Sequence, residues 1–266
     1  MTSSYLDHED GDGLSDAAIE RFARQLVLPA WDEATQKQLF AAHIAIIGLG
    51  GLGMPVLAYL AGAGIGQITL YEPDTADITN LHRQHMSTEA DIGKPKIEIA
   101  RRFIASRFPS CQLTTHQTAL ELSSASALFP TCDAVLDCTD NMASRQMIAQ
   151  AARQAGTPHI FAGAVRHEGQ ISVFASGHKD HPDSPCFGCL FPEEASYAQA
   201  PSCAQAGISG PFVGLMAMLQ AQEALKLLTG SGKPLIGTLL MVDGLETRFS
   251  PITVKRQATC PICSDS

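Results

Sequence analysis

The chain has 266 residues, enough for one large α/β domain with a full core and short for two independent domains. Its formal charge of -9 argues against nucleic acid as a partner, because phosphate binding needs a basic surface. No window of about 18 apolar residues predicts a membrane span. The stretch Met1 to Gly13 lacks the basic and apolar regions of a secretion signal. We therefore expect a flexible tail over 1–13, a single domain over 14–266 and a cytoplasmic protein.

Helical and strand patterns alternate through the first half of the sequence. Strand 43–47 leads into a glycine-rich segment and a helix that runs to about residue 63. The remaining helices are predicted over 15–28, 35–42, 95–108, 121–129 and 141–155, and the remaining strands over 67–72, 112–117 and 133–138. This alternation predicts an α/β fold with a Rossmann-like, doubly wound, mostly parallel sheet.

The second half has a different pattern. Strands are predicted over 159–164 and 170–175, an apolar helix over 208–229 ended by Gly230, and a hairpin around Asp243. These elements predict an antiparallel C-terminal extension of the sheet. The long loop 176–207 crosses between the two halves, and loops of this length are usually functional or disordered.

A glycine-rich loop predicts a phosphate site. Gly48, Gly50 and Gly53 match the spacing G-x-G-x-x-G between a strand and a helix, with Gly51 in the same segment. The exposed amides and the helix dipole favour an anion there. At the end of the next strand, Glu72 is the first candidate for the ribose hydroxyls and Asp74 the second, a solvated turn being the alternative. This much is typical of a nicotinamide-dependent dehydrogenase.

The residues that follow favour a triphosphate instead. Asn80, Arg83, Gln84 and Lys96 come in a loop and an early helix, and a leaving pyrophosphate needs such cationic groups. Asp140, at the end of strand 133–138, is placed to hold Mg²⁺ against the phosphates. The alternative for Asp140 is a helix N-cap.

Two cysteine pairs predict a metal site. Cys186 with Cys189 and Cys260 with Cys263 supply four thiolates, the tetrahedral set that Zn²⁺ prefers. Redox pairs or free thiols are the alternative, and a variant joins His178 and His181 to the first pair. A zinc ion on all four cysteines would attach the crossover loop to a C-terminal zinc-binding segment.

In combination, the motifs resemble those of the ThiF/MoeB/HesA family, the bacterial relatives of the ubiquitin-activating enzymes. The resemblance covers residues 14–263 and rests on Arg21-Phe-Ala-Arg-Gln25, the glycine loop, Asn80-Leu-His-Arg-Gln84, Gly93-Lys-Pro-Lys96, Asp137-Cys-Thr-Asp-Asn141 and the cysteine pairs. It implies an acidic ribose ligand at Glu72, phosphate contacts at Asn80, Arg83 and Lys96, and a Mg²⁺-linked carboxylate at Asp140 beside Asn141. Arg24 matches an arginine that reaches the phosphates from the other subunit of a homodimer. His82 departs from the glutamine usual at its position.

The function implied by the resemblance is ATP-dependent adenylylation. The substrate is the C-terminal glycine carboxylate of a small ubiquitin-like sulfur-carrier protein ending in Gly-Gly, and a thiocarboxylate follows with sulfur from a donor such as a cysteine desulfurase. The motifs are closer to ThiF, which activates ThiS for thiamine synthesis, than to MoeB, which activates MoaD for molybdopterin. Cys203 is the candidate for the later thiol step, and a loop cysteine without chemistry is its alternative.

Three other functions stay open from the sequence. A nicotinamide-dependent oxidoreductase would bind NAD and show no ATP–pyrophosphate exchange. A non-catalytic scaffold would require damage at Arg83, Lys96 or Asp140, which the sequence does not have. A related enzyme could instead adenylylate the carboxylate of a peptide or tRNA.

Overall fold

The computed structural model describes residues 13–192 and 206–264. The predicted tail lies outside this range except for Gly13, and so does Cys203. The helices are α1 (Asp16–Leu26), α2 (Glu33–Ala41), α3 (Gly53–Ala63), α4 (Lys96–Arg107), α5 (Leu122–Leu128), α6 (Met142–Ala155), α7 (Phe187–Leu190) and α8 (Gly210–Thr229). The strands are β1 (His43–Ile47), β2 (Gln67–Tyr71), β3 (Gln112–His116), β4 (Ala134–Asp137), β5 (His159–Val165), β6 (Glu168–Phe174), β7 (Thr238–Asp243) and β8 (Arg248–Thr253).

The eight strands form a sheet in the order β3-β2-β1-β4-β5-β6-β7-β8. The first five strands pair in parallel, and β6, β7 and β8 add antiparallel pairs. The predicted fold class is therefore confirmed. The chain moves outward from β1 to β3 and then returns to the other side of β1 with β4. That reversal opens a crevice at the carboxyl ends of β1 and β4, where open α/β sheets bind ligands.

Both faces of the parallel half are covered. Along β1, Ile44 and Ile46 pack into a core with helices α3, α4 and α8, while Ala45 and Ile47 pack into a second core with α5 and α6. Successive strand side chains point to opposite faces, so a strand buried on both faces reads as a continuous apolar run. This burial fixes β1 and the loop after it.

Among the boundaries that differ from the sequence prediction, the starts of β6 and α8 are both set by contacts around Arg166. The β5–β6 hairpin reverses at Arg166, whose φ is 53°, and pairs Val165 with Glu168, so β6 begins two residues earlier than predicted. Helix α8 begins at Gly210 because Ile208 forms a β-bridge with Arg166 and is extended. Within the crossover segment, the short helix α7 was not predicted. None of the helices in the described residues is long and apolar enough to span a membrane.

Candidate nucleotide-binding and metal sites

The glycine loop leaves β1 through a sharp turn at the crevice. The amide of Gly48 donates to the carbonyl of Tyr71 at 2.9 Å, and the φ of Gly48 is 95°, in the left-handed region that favours glycine. A Cβ on Gly48 would lie 2.8 Å from the carbonyl oxygen of Cys138 after β4. A Cβ on Gly53 would lie 2.0 Å from the carbonyl oxygen of Gly48. The first and last glycines of the motif therefore allow the loop to close on itself and on β4.

The middle of the loop stays open. A Cβ on Gly50 would meet no atom within 4 Å. The residue before α3, Leu52, supplies no side-chain hydrogen bond to the first turn of the helix. The amides of Met54 and Val56 donate to the carbonyls of Gly50 and Leu52, so the loop amides just before α3 are the ones available to an anion, which the helix dipole also favours. Residues 48–53 thus form a candidate phosphate site, called the cradle below.

Glu72 connects the end of β2 to this loop. One carboxylate oxygen accepts a hydrogen bond from the amide of Leu49, and the other accepts one from the amide of Asp74 at 2.8 Å. The side chain is buried. Each oxygen keeps a second lone pair, so Glu72 is able to accept a ribose hydroxyl while holding the loop.

Lys96, the first residue of α4, brings a cation to the same place. Its Nζ lies 3.1 Å from Asp74 and 3.6 Å from Glu72, and only 4% of the residue is exposed. Since a buried ammonium needs a counter-charge, the two carboxylates balance the charge of Lys96. The predicted residues Glu72, Asp74 and Lys96 are thus brought together beside the glycine loop.

Arg83 is the second cation beside the loop. Its guanidinium donates to Oδ1 of Asn80 at 2.5 Å and to the carbonyl of Thr79 at 3.1 Å. A Cβ on Gly51 would lie 3.3 Å from the Cδ of Arg83. The neighbouring Gln84 is buried, and its Oε1 has no partner among the described atoms. The predicted residues Asn80, Arg83 and Gln84 therefore stand together, with Arg83 against the cradle.

Asp140 is exposed in the loop after β4 and is not the cap of the following helix. Asn141 is the N-cap of α6: its backbone is extended, and its side-chain oxygen accepts from the amide of Ser144 at 2.9 Å. The N-cap alternative for Asp140 is wrong. Its carboxylate faces solvent at the carboxyl edge of the sheet. A single carboxylate together with substrate phosphates is an ordinary Mg²⁺ arrangement, so the residue present fits the ion.

Asp137 and Cys138, which come shortly before Asp140 in the sequence, are both buried. Burial opposes ionisation of Asp137, but the hydrogen bond and field of His159, the charge of Arg145 and a hydrogen bond from Thr139 hold the pKa of this carboxyl below its usual value. Burial raises the pKa of the Cys138 thiol well above its usual value. Asp137 is therefore a buried anion, and Cys138 is a neutral thiol that donates to Gln220 rather than a nucleophile.

Arg24 lies apart from the cradle of its own chain. It is exposed in the last turn of α1, turned away from Ala18 and Phe22, which anchor that helix. The adjacent Gln25 donates to the carbonyl of Ala63 at the end of α3. That end is about 16 Å along the helix from the glycine loop. The described contacts do not bring Arg24 to the other predicted site residues.

The four predicted metal ligands form one cluster. The Sγ atoms of Cys186, Cys189, Cys260 and Cys263 all lie within 4.8 Å of one another. The Sγ atoms of Cys186 and Cys260 are 3.4 Å apart, and those of Cys189 and Cys263 are 3.3 Å apart. Four thiolates with this spacing fit a tetrahedral Zn²⁺ site. The histidines of the variant, His178 and His181, contact each other and are not part of this cluster.

Several polar side chains behind the crevice were missed by sequence reasoning. Gln220 on α8 donates to the carbonyls of Asp137 and Ile160, both at 2.9 Å. A buried glutamine on an otherwise apolar helix was the available signal, because such a group needs partners. The contacts of Thr139 and Arg145 have no comparable signal, since they depend on how β4 and α6 meet.

The chain is similar to known proteins over nearly its whole length. The model of the ThiF family matches residues 22–262. The sulfur carrier protein adenylyltransferase of Thermus thermophilus is 37% identical over 93% of this chain and 91% of its own. The molybdopterin-synthase adenylyltransferase of Escherichia coli is 37% identical over 94% of this chain and 98% of its own. The match to the adenylyltransferase and sulfurtransferase MOCS3 of Drosophila grimshawi, 36% identical, covers 97% of this chain and 57% of that longer protein.

Solved structures agree on the fold. The crystal structure of E. coli MccB with ATP superposes with a TM-score of 0.79 at 22% identity, over 92% of this chain and 74% of that one. The family model and the two relatives at 37% identity show that the chain belongs to the ThiF family, as its motifs indicated. Like the adenylyltransferases that it matches end to end, it is an enzyme of the nucleotidyltransferase class.

Proposed function

We propose that this enzyme uses ATP to adenylylate the C-terminal glycine carboxylate of a small ubiquitin-like sulfur-carrier protein. The observation that carries the proposal is the position of two cations beside one glycine loop. Arg83 packs against Gly51, and Lys96 lies beside the Glu72 carboxylate that holds Leu49. The adenylyltransferase names of the Thermus and Escherichia relatives support the same reaction.

The charges suit a triphosphate better than a dinucleotide. A helix N-terminus alone balances much of the charge of a dinucleotide pyrophosphate. A reaction that releases pyrophosphate needs further cations, because negative charge grows on the leaving group. Arg83 and Lys96 supply that positive charge. Asp140 would hold Mg²⁺, which neutralises phosphate charge when bound.

The chemical step needs no general base. A C-terminal carboxylate has a pKa of about 3.5 and is ionised at neutral pH. It attacks the α-phosphorus of ATP, the bond to the β-phosphate oxygen breaks, and pyrophosphate leaves with the bonding electrons. The product is an acyl-adenylate on the terminal glycine. The residues of this chain align the two reactants and stabilise the charge: the glycine-loop amides, Asn80, Arg83 and Lys96 hold the phosphates, and Glu72 holds the ribose.

The position of Arg24 supports a homodimer with composite sites. Its helix is attached near Ala63, at the end of α3 remote from the cradle. An arginine there is better placed to serve a second copy of the chain than its own nucleotide. Closed twofold dimers are the commonest oligomers, and each would carry two such sites.

We further propose that the carrier resembles ThiS and that the product enters thiamine synthesis. A sulfur carrier protein adenylyltransferase and a molybdopterin-synthase adenylyltransferase match at the same identity, so a MoaD-like carrier is the competing outcome. Sulfur would come from a donor such as a cysteine desulfurase. Zinc on the four-cysteine cluster and the reduced thiols fit the cytoplasm, where disulfides are rare.

Cys203 belongs to the sulfur step of this proposal. Adenylylation uses no thiol. A thiolate near the adenylylated glycine would attack the acyl carbon, displace AMP and form a thioester. If the sulfur donor has first converted Cys203 to a persulfide, its outer sulfur would attack instead, and the products are an acyl-disulfide with the carrier and AMP. We expect the Cys203→Ser variant to keep ATP–pyrophosphate exchange and to form less thiocarboxylate. Mass spectrometry of the carrier after reaction with ATP and a sulfur donor measures the second step. A full thiocarboxylate yield would remove Cys203 from the chemistry.

The overall proposal is tested by isotope exchange between pyrophosphate and ATP. Exchange should require a carrier with a free Gly-Gly terminus. The matched control is the same carrier with its C-terminal carboxylate amidated, which keeps the folded surface and removes the nucleophile. Exchange without any carrier, or oxidation of NADH in its place, would overturn the proposal.

A further inference from the structure

The loop between β4 and Asp140 is held at every residue before the aspartate. The carbonyl of Asp137 accepts from the buried Gln220 at 2.9 Å, and the amide of Cys138 donates to the carbonyl of Ile47 at 2.9 Å. Asp140 is the first position after β4 whose side chain makes no hydrogen bond within the described part of the chain. The fixed segment therefore ends where the free carboxylate begins.

Thr139 is held from both sides. Oδ1 of Asp137 accepts from the Thr139 amide at 3.0 Å and from its hydroxyl at 2.7 Å. Nη2 of Arg145, on the second turn of α6, donates to the Thr139 carbonyl at 2.7 Å. All the hydrogen-bonding groups of Thr139 thus have strong partners, and both partner side chains are charged.

The two residues that hold Thr139 are themselves fixed. The second oxygen of Asp137 lies 3.3 Å from Nε2 of His159, and both side chains are buried. The guanidinium of Arg145 lies 5.0 Å above the ring of Phe161 on β5. A loop that is tied to a buried anion and to a stacked arginine has few alternative conformations.

We propose that Asp137 and Arg145 are positioning residues that hold Thr139 and thereby set where Asp140 points in the nucleotide crevice. This inference rests on the proposed function, because it assumes that Asp140 holds Mg²⁺ against the phosphates. A carboxylate on a fixed loop binds an ion without first losing conformational freedom. In this arrangement the buried Asp137 anchors the loop that presents the exposed Asp140, which explains why the two aspartates lie only three residues apart.

The test measures nucleotide binding rather than turnover. Calorimetry with a non-hydrolysable ATP analogue, in Mg²⁺ and again in EDTA, is done on the full chain. The Thr139→Val variant keeps the shape and loses the hydroxyl. It should bind the Mg²⁺ complex about tenfold more weakly, the loss expected for one hydrogen bond to a charged group, and bind the metal-free analogue as wild type does. The Thr139→Ser variant should recover most of the affinity.

A matched control comes from Thr157, whose hydroxyl donates to the carbonyl of Phe129 at 2.7 Å, away from the crevice. The Thr157→Val variant should bind both forms as wild type does.

If Thr139→Val does not fold, Arg145→Gln tests the other contact, and it should likewise weaken binding of the Mg²⁺ complex but not of the metal-free analogue. Asp140→Ala separates the two proposals. If it binds like wild type in Mg²⁺, the role of Asp140 fails. If Asp140→Ala loses the Mg²⁺ effect and the Thr139 and Arg145 variants keep it, only the positioning proposal fails.

Discussion

The Nζ of Lys96 lies 3.1 Å from Oδ2 of Asp74 and 3.6 Å from Oε1 of Glu72, while the other oxygen of Glu72 holds the amide of Leu49. One buried cation is therefore linked through a carboxylate to the phosphate cradle. If ATP binds at the cradle, its phosphates would give the ammonium of Lys96 a second set of anionic partners nearby. We therefore expect the same lysine to contribute to stability and, under the proposed function, to catalysis.

The Lys96→Met variant should lose both properties. We expect at least about a hundredfold loss of ATP–pyrophosphate exchange, since a charge contact to the transition state is removed. We also expect a melting temperature lower by a few degrees, because Glu72 stays buried without its cation. The control is Lys94→Met, two residues earlier, where the side chain is 48% exposed. Equal losses in the two variants would contradict the assignment of Lys96.

The four-cysteine cluster should contain one Zn²⁺ per chain in protein purified without chelator. The Cys260→Ser variant should lose the metal and melt at a lower temperature, because metal binding is coupled to folding. Cys111→Ser is the control, since Cys111 is a buried thiol outside the cluster and should keep the zinc. Elemental analysis and thermal unfolding measure both effects. A metal-free preparation with wild-type stability would exclude a structural zinc.

Stability should depend on pH through Asp91, which lies just before the loop that leads to Lys96. Hydrogen bonds from Arg102 hold the pKa of Asp91 well below its usual value, burial opposes this, and Thr88 and Lys94 assist. A carboxyl with a lowered folded-state pKa stabilises the protein above its unfolded pKa of about 3.9 and loses that effect as the pH falls below it. The melting temperature of Asp91→Asn should therefore be lower than that of wild type at pH 7, and the gap should narrow below pH of about 4. A gap that is constant across this range would show that Asp91 is not the group responsible.

Mixing two inactive variants tests the composite site. Arg24→Ala chains and Asp140→Ala chains should each be inactive alone. A mixed dimer has one intact site, so re-association should restore about a quarter to a half of wild-type exchange. The unmixed variants at the same concentration are the controls. No recovery in confirmed mixed dimers would place Arg24 in the site of its own chain or outside any site.

Periodicity and glycine spacing were sufficient to predict the elements of the parallel half of the sheet and the end of α8. β1 was predicted at 43–47 and is observed there, and α8 ends at Thr229 as predicted because Gly230 takes a left-handed conformation. The start of α8 was missed, since the bridge of Ile208 to Arg166 is a long-range contact. The helix α7 was missed because four residues are too few to show a period.

In the candidate site, too, local sequence patterns predicted some features, and contacts between distant segments decided the others. The glycine loop, Arg83, Lys96 and the four cysteines were selected from residue type and spacing. The structure places Arg83 and Lys96 beside the loop and brings the four cysteines together. Asn141 as N-cap and the two partners of Thr139 were not found. Those contacts are decided by the way β4 and α6 meet, which sequence patterns do not specify.

Under the proposed function, this enzyme transfers an adenylyl group to a carrier carboxylate. The most direct measurement is mass spectrometry of the carrier after brief incubation with the enzyme, ATP and Mg²⁺, in the absence of a sulfur donor. We predict a carrier heavier by one adenylyl group, which disappears on addition of hydroxylamine or pyrophosphate. The Asp140→Ala enzyme and the amidated carrier should both leave the mass unchanged. A carrier that stays unmodified with the wild-type enzyme, while ATP is consumed or a peptide is adenylylated instead, would contradict the account.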